Sequence, residues 1–159
     1  MARIKVKSGD VFEVPLKQSG RKAFLQYIFQ DSEYLGGHLI RAFYAAEEEP
    51  DLRQIVNSKI IFYAYTRLTQ GIDIGLWSRT GNVPIESNFD APIFRQTPDT
   101  IAYVKKSFKW NIFKAGSPNR KHLGELTDEY KHLPIAAVFA PVNIVLWLEE
   151  GKYPFKEPE

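Results

Sequence analysis

The chain has 159 residues, 44% apolar and 25% charged, with a formal charge of +2 and no cysteine. That balance fits one folded domain over residues 1–159 with a real core, and it excludes a disulfide scaffold. The longest apolar region, Leu133 to Leu148, falls short of the roughly 20 residues that span a bilayer and is broken by Pro134, Pro141 and Asn143. The basic start "MARIKVKSGDVFEV" reaches polar residues too soon for a signal-peptide core, so a soluble cytoplasmic protein with no membrane partner is expected.

In chain order, "GDVFEVPL" alternates Phe12, Val14 and Leu16 against Val11, Glu13 and Pro15, a half-buried strand. Pro15 cannot donate to a ladder and belongs at an edge or at the strand's end. "KAFLQYIF" is a second strand, with Leu25, Tyr27 and Phe29 on one face and Phe24 and Ile28 on the other. Gly36 and Gly37 turn the chain into a third strand, "GGHLIRAFY", completing an antiparallel meander. The acidic "EEEPDLRQIVN" predicts one or two helical turns with Pro50 near the first position. "KIIFYAYTRL" is a strand with Ile60 and Phe62 on one face and Ile61, Tyr63 and Tyr65 on the other, as suits a central strand, or one in a strongly bent sheet with a helix packed against its outer side.

From Gln70 to Thr100, glycines, prolines and short polar residues predict a long loop-rich region with brief strands, a type of segment that often carries function. "FKWNIFKAG" reads as the final strand, its Phe108, Trp110 and Ile112 sharing a core-facing side. Thr127 or Asp128 is expected to cap a short helix through "DEYKHL". "APVNIVLWLEEGK" is a helix with Pro141 at its start, Gly151 just past its end, and an apolar face of Val142, Val145, Leu146 and Leu148. Glu149 and Glu150 oppose the helix dipole there. The tail 152–159 is expected to be extended and frayed. The fold class is α+β: a strongly bent antiparallel sheet or partial SH3-like barrel, with a few helices mainly at the C-terminal end.

No catalytic or cofactor motif emerges. His38, His122 and His132 lack metal-ligand spacing, no glycine pattern surrounds a serine as in a nucleophile elbow, and Gly71, Gly75 and Gly81 are too far apart for a phosphate loop. The reading is therefore no enzyme, no metal and no cofactor. Charge is unevenly spread: residues 101–122 carry Lys105, Lys106, Lys109, Lys114, Arg120 and Lys121 without an acid, whereas "EEEPD" at 47–51 and the C-terminal part are acidic. Such patches steer association or pair within the fold. The alternating cations and rings of "YVKKSFKWNIFKAGSPNRK", with Tyr103 among them, leave open a nucleic-acid-binding barrel.

The opening "GDVFEVPLKQSGRKAFLQYIF" resembles the start of the immunity protein 26 family of bacterial polymorphic-toxin systems. The matching positions are Gly9, Asp10, Val11, Phe12, Val14, Pro15, Leu16 and Gly20. A central aromatic strand, the tryptophan strand "FKWNIF" and the closing "WLEEG" are similar too, whereas the polar gap "KQSGRK" and the loop from Gln70 to Thr100 depart from the pattern. A Gly-Asp opening also occurs in small SH3-like barrels, including RNA-cleaving toxins, which is the enzyme form of the nucleic-acid alternative. The resemblance implies a cytoplasmic protein that neutralises a cognate toxin by stoichiometric binding. It carries no site residues over. Because tight interfaces rest on aromatic and arginine anchors, the partner-binding candidates are Trp77, Arg79 and Arg95 in the loop region, with Lys106 and Lys109 from the basic stretch.

Overall fold

Four strands follow one another as an antiparallel meander in the computed structural model, which describes residues 5–45, 50–100 and 104–159. They are β1 (Asp10–Pro15), β2 (Lys22–Asp31), β3 (Gly37–Tyr44) and β4 (Phe62–Thr66), with α1 (Leu52–Val56) between the last two. α2 (Leu68–Asp73) leads to β5 (Ser78–Asn82), which returns to pair with β1. β6 (Ile93–Gln96), β7 (Trp110–Lys114) and β8 (Lys121–Gly124) form a separate three-stranded sheet. β9 (Val138–Phe139) then joins β4 in parallel, and α3 (Pro141–Glu150) follows it. The main sheet runs β5-β1-β2-β3-β4-β9. This is the expected α+β class: nine strands in two sheets and three short helices, with no closed barrel among the described residues.

Both faces of the main sheet are covered, which explains why its strands are apolar on both sides. On one face Phe12, Val14, Leu25, Ile40 and Phe62 pack with Leu68 of α2 and with Ile144 and Leu148 of α3. The other face has two clusters. Val11, Phe24 and Phe43 meet Ile55 of α1, and Ile28, Leu39 and Tyr65 meet Phe94 and Phe113 of the small sheet.

Several local expectations are corrected. The β2–β3 register slips between Tyr27 and Phe29, leaving Ile28 as a bulge, so Phe29 joins the small-sheet side and not Leu25 and Tyr27. Ile60 and Ile61 precede β4 and do not follow its alternation: Ile61 packs beside Phe62, and Ile60 beside α1. β7 is not the final strand, and it begins only at Trp110, so Phe108, in the bend before it, is 64% exposed while Trp110 is buried. "DEYKHL" forms successive turns, Tyr130 N–H to Thr127 and Leu133 N–H to Tyr130, and no α-helix. Val142 faces outward, and the buried side of α3 is Pro141, Ile144 and Leu148.

The tail is anchored where fraying was expected. Ser107 N–H donates to the Glu159 carbonyl at 2.7 Å and Glu159 N–H to the Lys105 carbonyl at 3.0 Å. The Tyr153 and Phe155 rings pack against Phe139. Glu149 also gains a role: its carboxylate accepts the Gln18 and Ser19 N–H groups at 3.1 and 3.2 Å, fastening the β1–β2 turn to the end of α3. Residues 47–49 of the acidic cluster, and Tyr103, lie outside the described residues.

Candidate partner-binding surface

The Gly9-Asp10 pair that opens β1 is a structural clamp. Gly9 has φ +91°, and a Cβ there would lie 2.6 Å from the Val83 carbonyl oxygen, so only glycine fits. The Asp10 carboxylate is fully buried, accepts the Lys7 N–H and an Asn82 Nδ2–H at 2.9 Å each, and faces Arg79 at 3.5 Å. It thereby ties the strand's entry to β5.

The structure separates the five residues singled out in the sequence. Trp77 is 2% exposed: its indole lies against Gly71 of α2 and its Nε1–H donates to the Leu68 carbonyl at 3.0 Å. The loop folds back over α2, so the Trp77 side chain packs in the core and not on the open surface. Arg79 is surface-facing on β5, the opposite end of the main sheet from β9, where it also donates to the Lys5 carbonyl at 3.1 Å. Arg95 on β6 is only 3% exposed, which makes it a pocket residue and not an open-loop one. Lys106 and Lys109 are exposed and lie close together in the chain. Lys106 pairs with Glu125 at 2.5 Å, and Lys109 faces Asp99 at 3.8 Å.

Two concavities flank the C-terminal tail, and Tyr153 and Glu157 line both. One, of about 460 Å³, has Arg95 among walls that include Phe62, Leu133, Ile135 and Trp147. The Arg95 Nε–H donates to the Leu133 carbonyl at 2.8 Å, and its Nη2 lies 3.5 Å from the Glu157 carboxylate. Burial pulls the Arg95 pKa down while Glu157 counters it, and burial pushes the Tyr153 hydroxyl up to about 12.

The other, of about 880 Å³, is lined by Leu35, Val138, Phe139, Phe155, Lys105 and Lys156 among others. Leu35 is 82% exposed and adopts φ 54°, a left-handed conformation costly for a branched apolar residue. Asp31 holds that turn. Its carbonyl accepts the Tyr34 and Gly36 N–H groups and its Oδ1 the Glu33 N–H, while Oδ2 accepts the Tyr65 hydroxyl and the Gly116 N–H at 2.7 Å each. Burial, then the Asp31 carboxylate, raise the Tyr65 pKa, so the phenol stays a donor. This exposed leucine at the lip of the groove was not singled out by the sequence. Only the adjacent Gly36-Gly37 hinted at a tight turn.

The basic stretch is largely engaged within the fold. Besides Lys106 and Lys109, Lys114 pairs with Asp90 at 2.5 Å, and Arg120 donates to the Ser117 and Glu33 carbonyls while lying 4.0 Å over the Phe113 ring. Among the described residues no group of three or more His, Asp or Glu is placed to hold a metal ion, and no helix is long and apolar enough to cross a membrane.

A family model described as Immunity protein 26 matches residues 7–107, more than half of the chain, from just before β1 through β6. No curated protein and no solved structure matches.

Proposed function

The chain belongs to the immunity protein 26 family, and on that premise we propose that it neutralises a cognate toxin of a polymorphic-toxin system in the cytoplasm by binding it one to one. The family match is the observation that carries this reading. The surface supports it: Leu35, Phe108 and Phe155 are large apolar side chains left exposed, and the first and last of these border the larger groove. Apolar and aromatic anchors of this kind supply interface energy once water is excluded around them.

Neutralisation of this type requires no bond chemistry from the inhibitor. Occupying the toxin's active site, or holding the toxin in an inactive conformation, is sufficient. Lys106 and Lys109, exposed beside Phe108, are assigned to encounter steering and partner choice, and Arg79 to a peripheral contact at most, since it lies at the other edge of the sheet. The nucleic-acid alternative is weakened because Arg120, one of the cations that suggested it, is spent on the Ser117 and Glu33 carbonyls and the Phe113 ring.

The deciding experiment is co-expression with the toxin domain encoded by the neighbouring gene. Growth is expected to be restored, and the two chains to co-elute as a stable one-to-one complex. Absence of rescue and of a complex overturns the reading. Retention on nucleic acid that fades steeply with salt would favour the alternative.

A further inference from the structure

Arg95 is a charged side chain only 3% exposed on the wall of the smaller concavity. A guanidinium has five N–H donors, and here only Nε has a hydrogen bond of normal length, to the Leu133 carbonyl at 2.8 Å. Glu157 stands 3.5 Å from Nη2, outside the usual 2.7–3.2 Å range of an N–H···O bond. One side of the guanidinium lies over the Trp110 ring at 5.4 Å. The remaining donors border a cavity of about 460 Å³ whose walls include Phe62, Ile135 and Trp147. Glu157 is the one carboxylate among the described residues that line it, and it comes from the tail.

The Nη donors face the cavity, where a well-aligned carboxylate gains both charge and paired hydrogen bonds in largely apolar surroundings. The loose Glu157 contact balances the charge without completing the geometry. We propose that the Arg95 pocket receives an aspartate or glutamate side chain of the toxin, and that this group displaces Glu157 from the guanidinium. Glu157 is then an internal stand-in, and the tail a partition that shifts when the partner docks. The proposal rests on the immunity reading and adds to it a location and a chemistry for the partner's anchor.

The test is calorimetric titration of the chain with a catalytically inactive form of the toxin domain encoded beside it. The proteins compared are the native chain, Arg95→Lys, Glu157→Gln and, as a control exposed on β5 outside both concavities, Thr80→Ala. Arg95→Lys keeps the charge but loses the planar fork, so affinity is expected to fall about tenfold or more. Glu157→Gln removes the competing carboxylate, so affinity is expected to rise about threefold or more. The control is expected to bind like the native chain.

Unfolding of Arg95→Lys, seen as a lost thermal transition, does not rescue the idea, because unchanged or weakened binding by Glu157→Gln overturns it alone. If the native chain and both pocket variants bind equally, the pocket assignment falls and the immunity reading stands. If the native chain binds no toxin, both fall. Saturable binding of a single-stranded oligonucleotide that is lost in Arg95→Lys would replace the carboxylate with a phosphate and overturn the assignment.

Discussion

Arg41 and Glu86 form a two-pronged ion pair, with Nη1 2.9 Å and Nη2 2.8 Å from the two carboxylate oxygens. Arg41 sits on β3, 4% exposed in side chain, whereas Glu86 is 45% exposed in the loop after β5. The arginine also donates from Nε to Gln26 Oε1 at 2.8 Å, and Gln26 Nε2 donates to the Val83 carbonyl at 2.7 Å. A charge in the middle of a buried strand is thus satisfied by a chain of bonds that fastens the long loop to the sheet.

This pair makes stability depend on acid. The Arg41 hydrogen bonds hold the Glu86 carboxyl down at about 2, against an ordinary value of 4.5. The unfolded chain therefore takes up the proton first. The stabilisation is complete above pH 4.5 and is lost as pH falls towards 2. Glu86→Gln is expected to cost about 1–2 kcal/mol at pH 7, a figure reduced from that of a fully buried pair because the carboxylate is partly solvated. Urea melts of both proteins at pH 7 and pH 3 check this. The gap should narrow at pH 3, and a constant gap refutes the linkage.

A steric test concerns α2. A Cβ on Gly71 would lie 2.0 Å from Cζ2 of Trp77, so Gly71→Ala sets two effects against each other. Alanine favours a helix by about 1 kcal/mol over glycine, but overpacking a tight core costs about 1–3 kcal/mol or more. With the contact a full ångström inside any real approach, the clash wins. Net destabilisation of about 2 kcal/mol is expected, visible as a lower urea midpoint and altered Trp fluorescence. A stabilised variant would mean that Trp77 is not seated there.

These contacts show what the sequence discloses and what it hides. The meander from β1 to β3, and β4 as a strand, were legible because period-two alternation and turn residues are local. The bulge at Ile28 was not, since no glycine or proline marks it and only the pairing with β3 reveals the extra residue. Phe108 looked like core because its alternation with Trp110 is apparent in the sequence, whereas the strand begins only at Trp110 and leaves Phe108 in a bend. Of the pocket, Arg95 was legible as an arginine among loop residues. Trp147, Tyr153 and Glu157, which complete its surroundings, come from α3 and a polar tail whose docking depends on tertiary contacts alone.

The Asp10 clamp predicts unequal effects from its two charged members. Asp10→Ala removes the acceptor for the Lys7 N–H and for Asn82 at a fully buried position, so a loss of about 2–3 kcal/mol is expected. Arg79→Gln breaks a 3.5 Å ion pair and an exposed hydrogen bond to the Lys5 carbonyl, both from a partly exposed guanidinium, a loss of about 1 kcal/mol or less. Chemical denaturation of both variants checks the order. If Arg79→Gln costs as much as Asp10→Ala, the ion pair and not the hydrogen-bonded turn holds β1 to β5.

Leu35 joins stability to binding with opposite signs. Its φ of 54° is one that asparagine tolerates better than leucine, and the left-handed region costs an ordinary residue about 1 kcal/mol or more. Since the side chain is 82% exposed, Leu35→Asn gives up little packing in the free protein, and a rise of about 0.5–1 kcal/mol in stability is expected. The same change removes an apolar group from the lip of the groove, so affinity for the toxin is expected to fall, by about tenfold if Leu35 is buried in the complex. Thermal melting and titration on one preparation measure both. A more stable variant that binds as tightly as the native chain would place the interface elsewhere. A less stable one would show that the turn, and not the leucine, is what the strain maintains.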